Sequence, residues 1–257
     1  MQALGLAGAR VPGAALRAAL VFATAAVPIL ALQGPAGSAA EAGLVAAAAG
    51  ALFVLFEYGA RTPTLIDFRF AAPVNRMRFG MAAGVLASVL LFVASAGDGG
   101  GLGALHRAGL DLGAAVDGWA SPAGMAANLL SRPSALGPDP VIRAAAAVAL
   151  GSALVFTALF ALTLRFGDWP GDAAAFRAEV NLPTFELGDR QDRTARLRRL
   201  GRQAVVLGLT MPLALLALAG IAGRLVDPDV FARPLPLVWA SALWAAAPAS
   251  QLMRGVA

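Results

Sequence analysis

Residues 61–97 read RTPTLIDFRFAAPVNRMRFGMAAGVLASVLLFVASAG, an arginine-rich segment that runs directly into a long apolar block. The first part, residues 61–78, holds four arginines against one aspartate and is interrupted by Pro63 and Pro73, which break helices. The second part, about 79–97, approaches the length of about 20 residues that a helix needs to cross a hydrocarbon core. This succession of an arginine-rich segment and an apolar block predicts a polar surface loop followed by a membrane helix.

A similar arrangement recurs 120 positions later, where an arginine-rich segment again precedes an apolar block. Pro63-Thr64 and Arg76-x-Arg78 are matched without a gap by Pro183-Thr184 and Arg196-x-Arg198. A parallel internal duplication would produce this echo. Chance matches between loops that are rich in arginine and proline would produce it too, and the sequence leaves both explanations open.

The composition is that of a membrane protein: 59% of the 257 residues are hydrophobic and 14% are charged, against about 25% charged residues in soluble domains. We therefore predict an all-α, polytopic membrane protein with one integral membrane domain, residues 1–257. The apolar residues gather in six blocks that predict spans at about 13–32, 41–60, 79–97, 144–166, 204–223 and 235–252.

The first block has a second interpretation. Arg10 and Arg17 precede or begin it, and small residues follow it at positions 37–40. These features also fit a cleavable signal peptide. The sequence favours an uncleaved span, because no soluble domain that would need export follows.

The two longest connections, residues 98–143 and 167–203, are predicted to carry short interfacial helices. In the first, Leu105, Leu112, Val116 and Trp119 share one helical face, and the charged residues Arg107, Asp111 and Asp117 lie away from it. Ser121-Pro122 predicts the start of a second helix over 122–130. His106, the one histidine, is expected to face solvent. In the second connection, residues 171–180 predict a short helix and residues 189–203 a charged helix that runs into the membrane.

Six spans with a cytoplasmic amino terminus place 15 arginines inside and five outside. The positive-inside rule favours this orientation, with both termini and the loops 61–78 and 167–203 in the cytoplasm and the loop 98–143 outside. Abundant alanine and the use of arginine without lysine indicate a bacterial source. The expected location is the bacterial inner membrane.

Several kinds of chemistry are excluded by composition. The chain has no cysteine and no lysine, so it has no disulfide, thiolate ligand or Schiff-base amine. A single histidine does not make an ordinary zinc site. No ionisable residue falls near the centre of a predicted span, where proton relays usually have one. We predict no catalytic residue, no metal site and no cofactor.

The arginines are the candidate binding residues. In the second segment they recur every three residues and therefore sweep around a helix axis, which suits headgroups better than a flat nucleic-acid face. The expected partners are anionic phospholipid and a membrane-protein complex, without nucleic acid. The candidates are Arg61, Arg69, Arg76, Arg78, Arg193, Arg196, Arg198, Arg199 and Arg202.

Three functions remain open. The first is a non-enzymatic accessory, assembly or scaffold subunit. The second is a small-solute transporter or permease subunit, with a path between helices that are kinked at Pro28, Pro212 and Pro248. The third is a membrane-embedded lipid enzyme, which requires Glu57, Asp67 and Glu186 to converge with Arg76 and Arg196. Glu57 is otherwise expected to pair with Arg61 at the i,i+4 spacing of a helix surface.

Overall fold

The computed structural model consists of helices and short connections, and the part that it describes contains no strand. Side chains are not described at 2–10, 190–194 and 223–225. The described residues are 2–34, 37–60, 65–66, 74–118, 121–131, 139–167, 190–225, 227 and 229–257.

Eight α-helices and one 3-10 turn, Val230–Ala232, make up the described structure. The predicted blocks all fall on helices. Helix α3 begins before the predicted position 79, so Arg76 and Arg78 belong to its first turns and not to the preceding loop. The helices are α1 (Gln2–Gln33), α2 (Ser38–Gly59), α3 (Val74–Ala94), α4 (Gly101–Ala115), α5 (Pro122–Leu130), α6 (Pro140–Phe166), α7 (Arg190–Leu225) and α8 (Pro234–Val256).

Five helices are long and apolar enough to cross a membrane, and the chain is therefore a polytopic helical membrane protein. The five segments are Val11–Gln33, Ser38–Gly59, Val74–Ala94, Pro140–Phe166 and Ala195–Ala222. The sixth predicted span falls on α8, which has 23 residues and a length of about 35 Å. Proline, serine, tryptophan and glutamine dilute its apolar character, and ten of its residues are buried against neighbouring helices.

The chain divides into two compact units. The first comprises residues 1–75 and 168–193, and its described core is an antiparallel hairpin of α1 and α2. Ile29 of α1 fills the space above Gly43 of α2, where a Cβ would lie 2.8 Å from the Ile29 Cδ1. At the other end of the hairpin the Arg17 guanidinium lies 4.8 Å from the centre of the Tyr58 ring. Arg17 also donates a hydrogen bond to the Gly13 carbonyl, so its charged group lies along the helix surface.

The second unit comprises residues 76–167 and 194–257. Its centre is α6, whose first half is an alanine-rich stretch with buried side chains at Ala144 to Ala147, Ala149 and Ala153. Small residues let helices approach closely in lipid. Gly113 of α4 contacts the Ala144 backbone, and the Phe156 ring of α6 covers Gly84 of α3. The pair Gly80 and Gly84 thus accepts an aromatic side chain from another helix.

Helix α4 has three faces rather than the two that the sequence predicted. Its glycines at 103, 109 and 113 are buried against the bundle. Leu105 and Leu112 are exposed on one side of that glycine face, and Arg107 and Asp111 are exposed on the other. This division suits a helix at a membrane surface, with leucines towards lipid, charges towards water and glycines towards its own protein.

Two expectations near α4 have different outcomes. The predicted cap of α5 is confirmed, because the Ser121 hydroxyl accepts a hydrogen bond from the Gly124 N–H at 3.3 Å. The expectation of a solvent-facing His106 is wrong. Its ring is partly buried and stacks on Phe92 with centroids 4.8 Å apart, and its Nδ1 lies 2.9 Å from the Phe92 carbonyl oxygen. That carbonyl is in the last turn of α3, where helices leave acceptors without an intrahelical donor.

Candidate binding surface

The candidate surface lies in the second unit, where α7 and α8 pack in antiparallel orientation. Three contacts show this register: Gly201 with Gly255, Gly208 with Leu252, and the Trp244 Nε1, which donates to the Pro212 carbonyl at 3.0 Å. The arginine-rich first turns of α7 therefore lie beside the last turns of α8. Arg202 and Arg254 consequently belong to the same end of the bundle.

Helix α3 begins at that same end. Its Arg78 donates from Nε to the Ser250 hydroxyl of α8 at 2.9 Å, across 172 positions of sequence. Phe156 of α6 lies on Gly84 of α3, and Val148 of α6 lines one pocket with Ser88 of α3. The two helices are therefore antiparallel, and Arg165 at the end of α6 lies towards the beginning of α3. Four helix ends thus meet, and each of them carries arginine.

We call this region the arginine end. It holds eight arginines whose side chains are described, and the Asp side chains described in the second unit lie elsewhere. Arg78 and Arg254 are partly buried, and the other six are exposed. The members are Arg76, Arg78, Arg165, Arg196, Arg198, Arg199, Arg202 and Arg254.

The opposite end of the second unit carries the acidic side chains. Six aspartates are described there together with three arginines, two of which form ion pairs. Arg143 lies 2.8 Å from the Asp117 carboxylate, and Arg233 pairs with Asp227. Asp98 and Asp139 instead accept backbone N–H groups at the starts of α4 and α6. The described part of this unit is therefore strongly polarised along the helix axes.

The predicted candidates are only partly brought together. Six of them belong to the arginine end: Arg76, Arg78, Arg196, Arg198, Arg199 and Arg202. Arg61 and Arg69 lie outside the described residues, and Arg193 is described only by its helical backbone. Sequence reasoning missed Arg165 and Arg254 as site residues, although their position at the last turn of a span is the signal that identifies them.

In the first unit, the carboxylate of Glu57 accepts hydrogen bonds from backbone N–H groups. It is buried, with 5% of its surface exposed, and its Oε1 accepts hydrogen bonds from the Leu65 and Ile66 N–H groups at 2.9 and 3.1 Å. The neighbouring Tyr58 hydroxyl contacts the Asn75 Oδ1 at 3.1 Å. The predicted pairing with Arg61 lies outside the described residues, as do Asp67 and Glu186.

One of the cavities in the described structure has a mostly apolar lining. A hollow of about 130 Å³ lies between α5, α6, α7 and α8, with Ile142, Leu216 and Ser241 in its wall. The Trp244 ring also borders it, but the indole N–H is directed to the Pro212 carbonyl. Within the described ranges, no three His, Asp or Glu side chains come close enough to hold a metal ion.

Comparison of the chain with models of known protein families, with curated proteins and with solved structures finds no match.

Proposed function

We propose that the chain is a non-enzymatic protein of the bacterial inner membrane, an accessory, assembly or scaffold subunit whose arginine end faces the cytoplasm. The observation that supports this proposal is the separation of charge in the second unit. Eight arginines occupy one end of this unit, and its described aspartates occupy the other.

The physical basis is the chemistry of the two membrane faces. Positively charged residues are retained on the cytoplasmic side, and acidic residues have little effect on orientation. The cytoplasmic leaflet of bacterial and other membranes carries anionic lipid, and a guanidinium pairs with a phosphate through two parallel hydrogen bonds. The arginine end therefore supplies both an orientation signal and a surface for anionic lipid or for an acidic partner.

The other two functions have less support. A transport path needs polar groups along a cavity, whereas the described hollow beside α6 has an apolar wall apart from Ser241. A lipid enzyme needs carboxylates that converge with its arginines, whereas the described contacts of the Glu57 Oε1 are two backbone N–H groups. Both functions remain alternatives to the proposed one.

The orientation of the chain in the membrane can be measured by labelling single introduced cysteines. The natural chain has no cysteine, so it contributes no labelling of its own. We would compare the single variants Gln203→Cys, beside the arginine end, and Ala115→Cys, at the end of α4, with a membrane-impermeant maleimide on intact spheroplasts. Both positions are exposed. The proposal expects labelling of Ala115→Cys in intact spheroplasts and of Gln203→Cys only after lysis. The reverse pattern would reject a cytoplasmic arginine end.

The accessory role is tested by gentle extraction from native membranes, capture through a carboxy-terminal tag and mass spectrometry. A stoichiometric membrane complex would support a subunit role. Recovery of the chain with lipid alone would remove that support, and solute flux into proteoliposomes would then test the transporter alternative. Amine cross-linkers are of little use here, because the chain has no lysine.

A further inference from the structure

Three exposed arginines of α7, Arg198, Arg199 and Arg202, lie outside the face that packs on α8. Ala204 and Gly208 are buried and Gly201 and Val205 are partly buried, and Gly201, Val205 and Gly208 contact α8. Successive residues turn by about 100° around a helix axis. Arg199 and Arg202 are therefore more than a quarter turn from Gly201, Arg198 lies at the edge of the contact face, and all three are exposed.

These three arginines are close neighbours of like charge. Arg198 and Arg202 have i,i+4 spacing, and Arg199 and Arg202 have i,i+3 spacing. Like charges at these spacings destabilise a helix by a few tenths of a kcal/mol per pair. None of the three forms a hydrogen bond or an ion pair with a described residue. An anion between them would remove the repulsion.

The surface beneath the arginines is aliphatic. Val206, Leu209 and Leu213 follow Arg202 at intervals of three or four residues and so continue the same stripe towards the membrane centre. Their exposed fractions are 60%, 65% and 55%. From Arg202 to Leu213 the helix rises about 16 Å, close to half of a hydrocarbon core of about 30 Å. The stripe thus matches the depth of one lipid leaflet.

We propose that this face of α7 binds one anionic phospholipid of the cytoplasmic leaflet. Arg198, Arg199 and Arg202 contact the phosphate, and an acyl chain lies along Val206, Leu209 and Leu213. This inference deepens the proposed function, since it requires the arginine end to lie at that leaflet. A free phosphate would contact only the arginine half of this face. An acidic protein would contact the arginines and leave the aliphatic half against bulk lipid.

The test is native mass spectrometry of the full chain, purified in detergent with equal amounts of phosphatidylglycerol and phosphatidylcholine of the same acyl chains. The wild-type protein should retain phosphatidylglycerol preferentially. Arg202 belongs to both arginine pairs, so Arg202→Gln should lower that retention about fivefold. The triple change Arg198→Gln, Arg199→Gln and Arg202→Gln should bring it close to the level of phosphatidylcholine.

The matched control is Arg107→Gln, which removes one charge from an exposed position of α4 at the other end of the unit. It should leave phosphatidylglycerol retention unchanged. Folding is monitored by thermal unfolding in detergent without anionic lipid. There Arg202→Gln should be at least as stable as the wild type, because it relieves repulsion between like charges.

An equal loss of phosphatidylglycerol retention in Arg202→Gln and Arg107→Gln would show that the lipid is attracted by the net charge of the protein. That result would overturn the site on α7. Stabilisation by inorganic phosphate as large as that by phosphatidylglycerol would exclude a role for the aliphatic half and overturn the lipid assignment. Release of a protein partner by the triple variant, with lipid retention unchanged, would overturn it as well. The cysteine labelling decides the orientation of the arginine end independently, so a failure of this site and a failure of the proposed function are distinguishable.

Discussion

Gly201 of α7 and Gly255 of α8 contact each other backbone to backbone. A Cβ at Gly255 would lie 2.7 Å from the Gly201 carbonyl oxygen and 3.0 Å from the Val205 nitrogen. Both neighbours are backbone atoms that cannot rotate out of the way. The contact brings two arginine-bearing helix ends together, so glycine at this position is a condition for the arginine end.

The first prediction is that Gly255→Ala destabilises the second unit. Overpacking costs about 1 to 3 kcal/mol, which exceeds the gain of about 1 kcal/mol from replacing glycine by alanine in a helix. Thermal unfolding in detergent measures the balance. Gly50→Ala in α2 is the matched control, because nothing lies within 4 Å of a Cβ there. Stabilisation by both changes would contradict the close contact.

The second prediction concerns Gly84 and Phe156. Gly84→Ala places a methyl group against the Cε2 and Cζ atoms of the Phe156 ring and should lower stability by about 1 to 3 kcal/mol. Phe156→Leu removes those ring atoms. The double variant should therefore lose less than the sum of the two single losses, with a coupling of at least about 0.5 kcal/mol.

Gly80→Ala is the control for this pair, because a Cβ at Gly80 would lie 4.0 Å from the Phe156 ring, an ordinary contact distance. It should be neutral or stabilising. Strictly additive losses in the Gly84 and Phe156 cycle would show that the ring and the glycine do not pack together.

The helices were predictable because the length and composition of an apolar block are local properties of the sequence. The start of α3 was placed too late because Arg76 and Arg78 were assigned to the loop. Arginines fit the first turns of a membrane helix, since their aliphatic stems lie along the helix and the guanidinium reaches the interface. The predicted boundary followed charge, whereas the observed one follows the proline at position 73.

The contacts that assemble the arginine end were not predictable from local pattern. Arg78 and Ser250 are 172 positions apart, and neither residue type indicates the other. The error over α4 has a similar origin. A helical wheel separates leucines from charges, but nothing in it shows that a glycine face between them packs on another helix. Charge counting addresses only the orientation of the spans, and that orientation stays a prediction.

The third prediction is that Trp244→Phe destabilises the packing of α7 against α8. The indole N–H donates to the Pro212 carbonyl at 3.0 Å, and Trp244 is buried with 7% of its surface exposed. Loss of one interhelical hydrogen bond in a membrane protein costs about 0.6 kcal/mol, and the smaller ring adds a packing loss. We therefore expect Trp244→Phe to lower the melting temperature more than Trp239→Phe, which removes a partly exposed indole. Equal shifts would show that the hydrogen bond contributes nothing.

The fourth prediction concerns the carboxylate of Glu57, which holds the backbone at Leu65 and Ile66. Helix α2 ends at Gly59, and Ala60 is extended, with φ −63° and ψ 147°. Glu57→Ala removes the acceptor of two N–H groups. Because a backbone donor without its partner exchanges with water more readily, we expect faster hydrogen exchange at the Leu65 and Ile66 amides.

Glu57→Gln keeps an amide oxygen at the position of Oε1 and should retain most of the protection, although a neutral acceptor binds less strongly than a charged one. Glu41→Gln is the control, since Glu41 is an exposed carboxylate in the first turn of the same helix. Exchange rates resolved at single amides would decide the point. If Glu57→Ala leaves both amides as protected as in the wild type, Glu57 does not anchor this backbone, and its burial requires another cause.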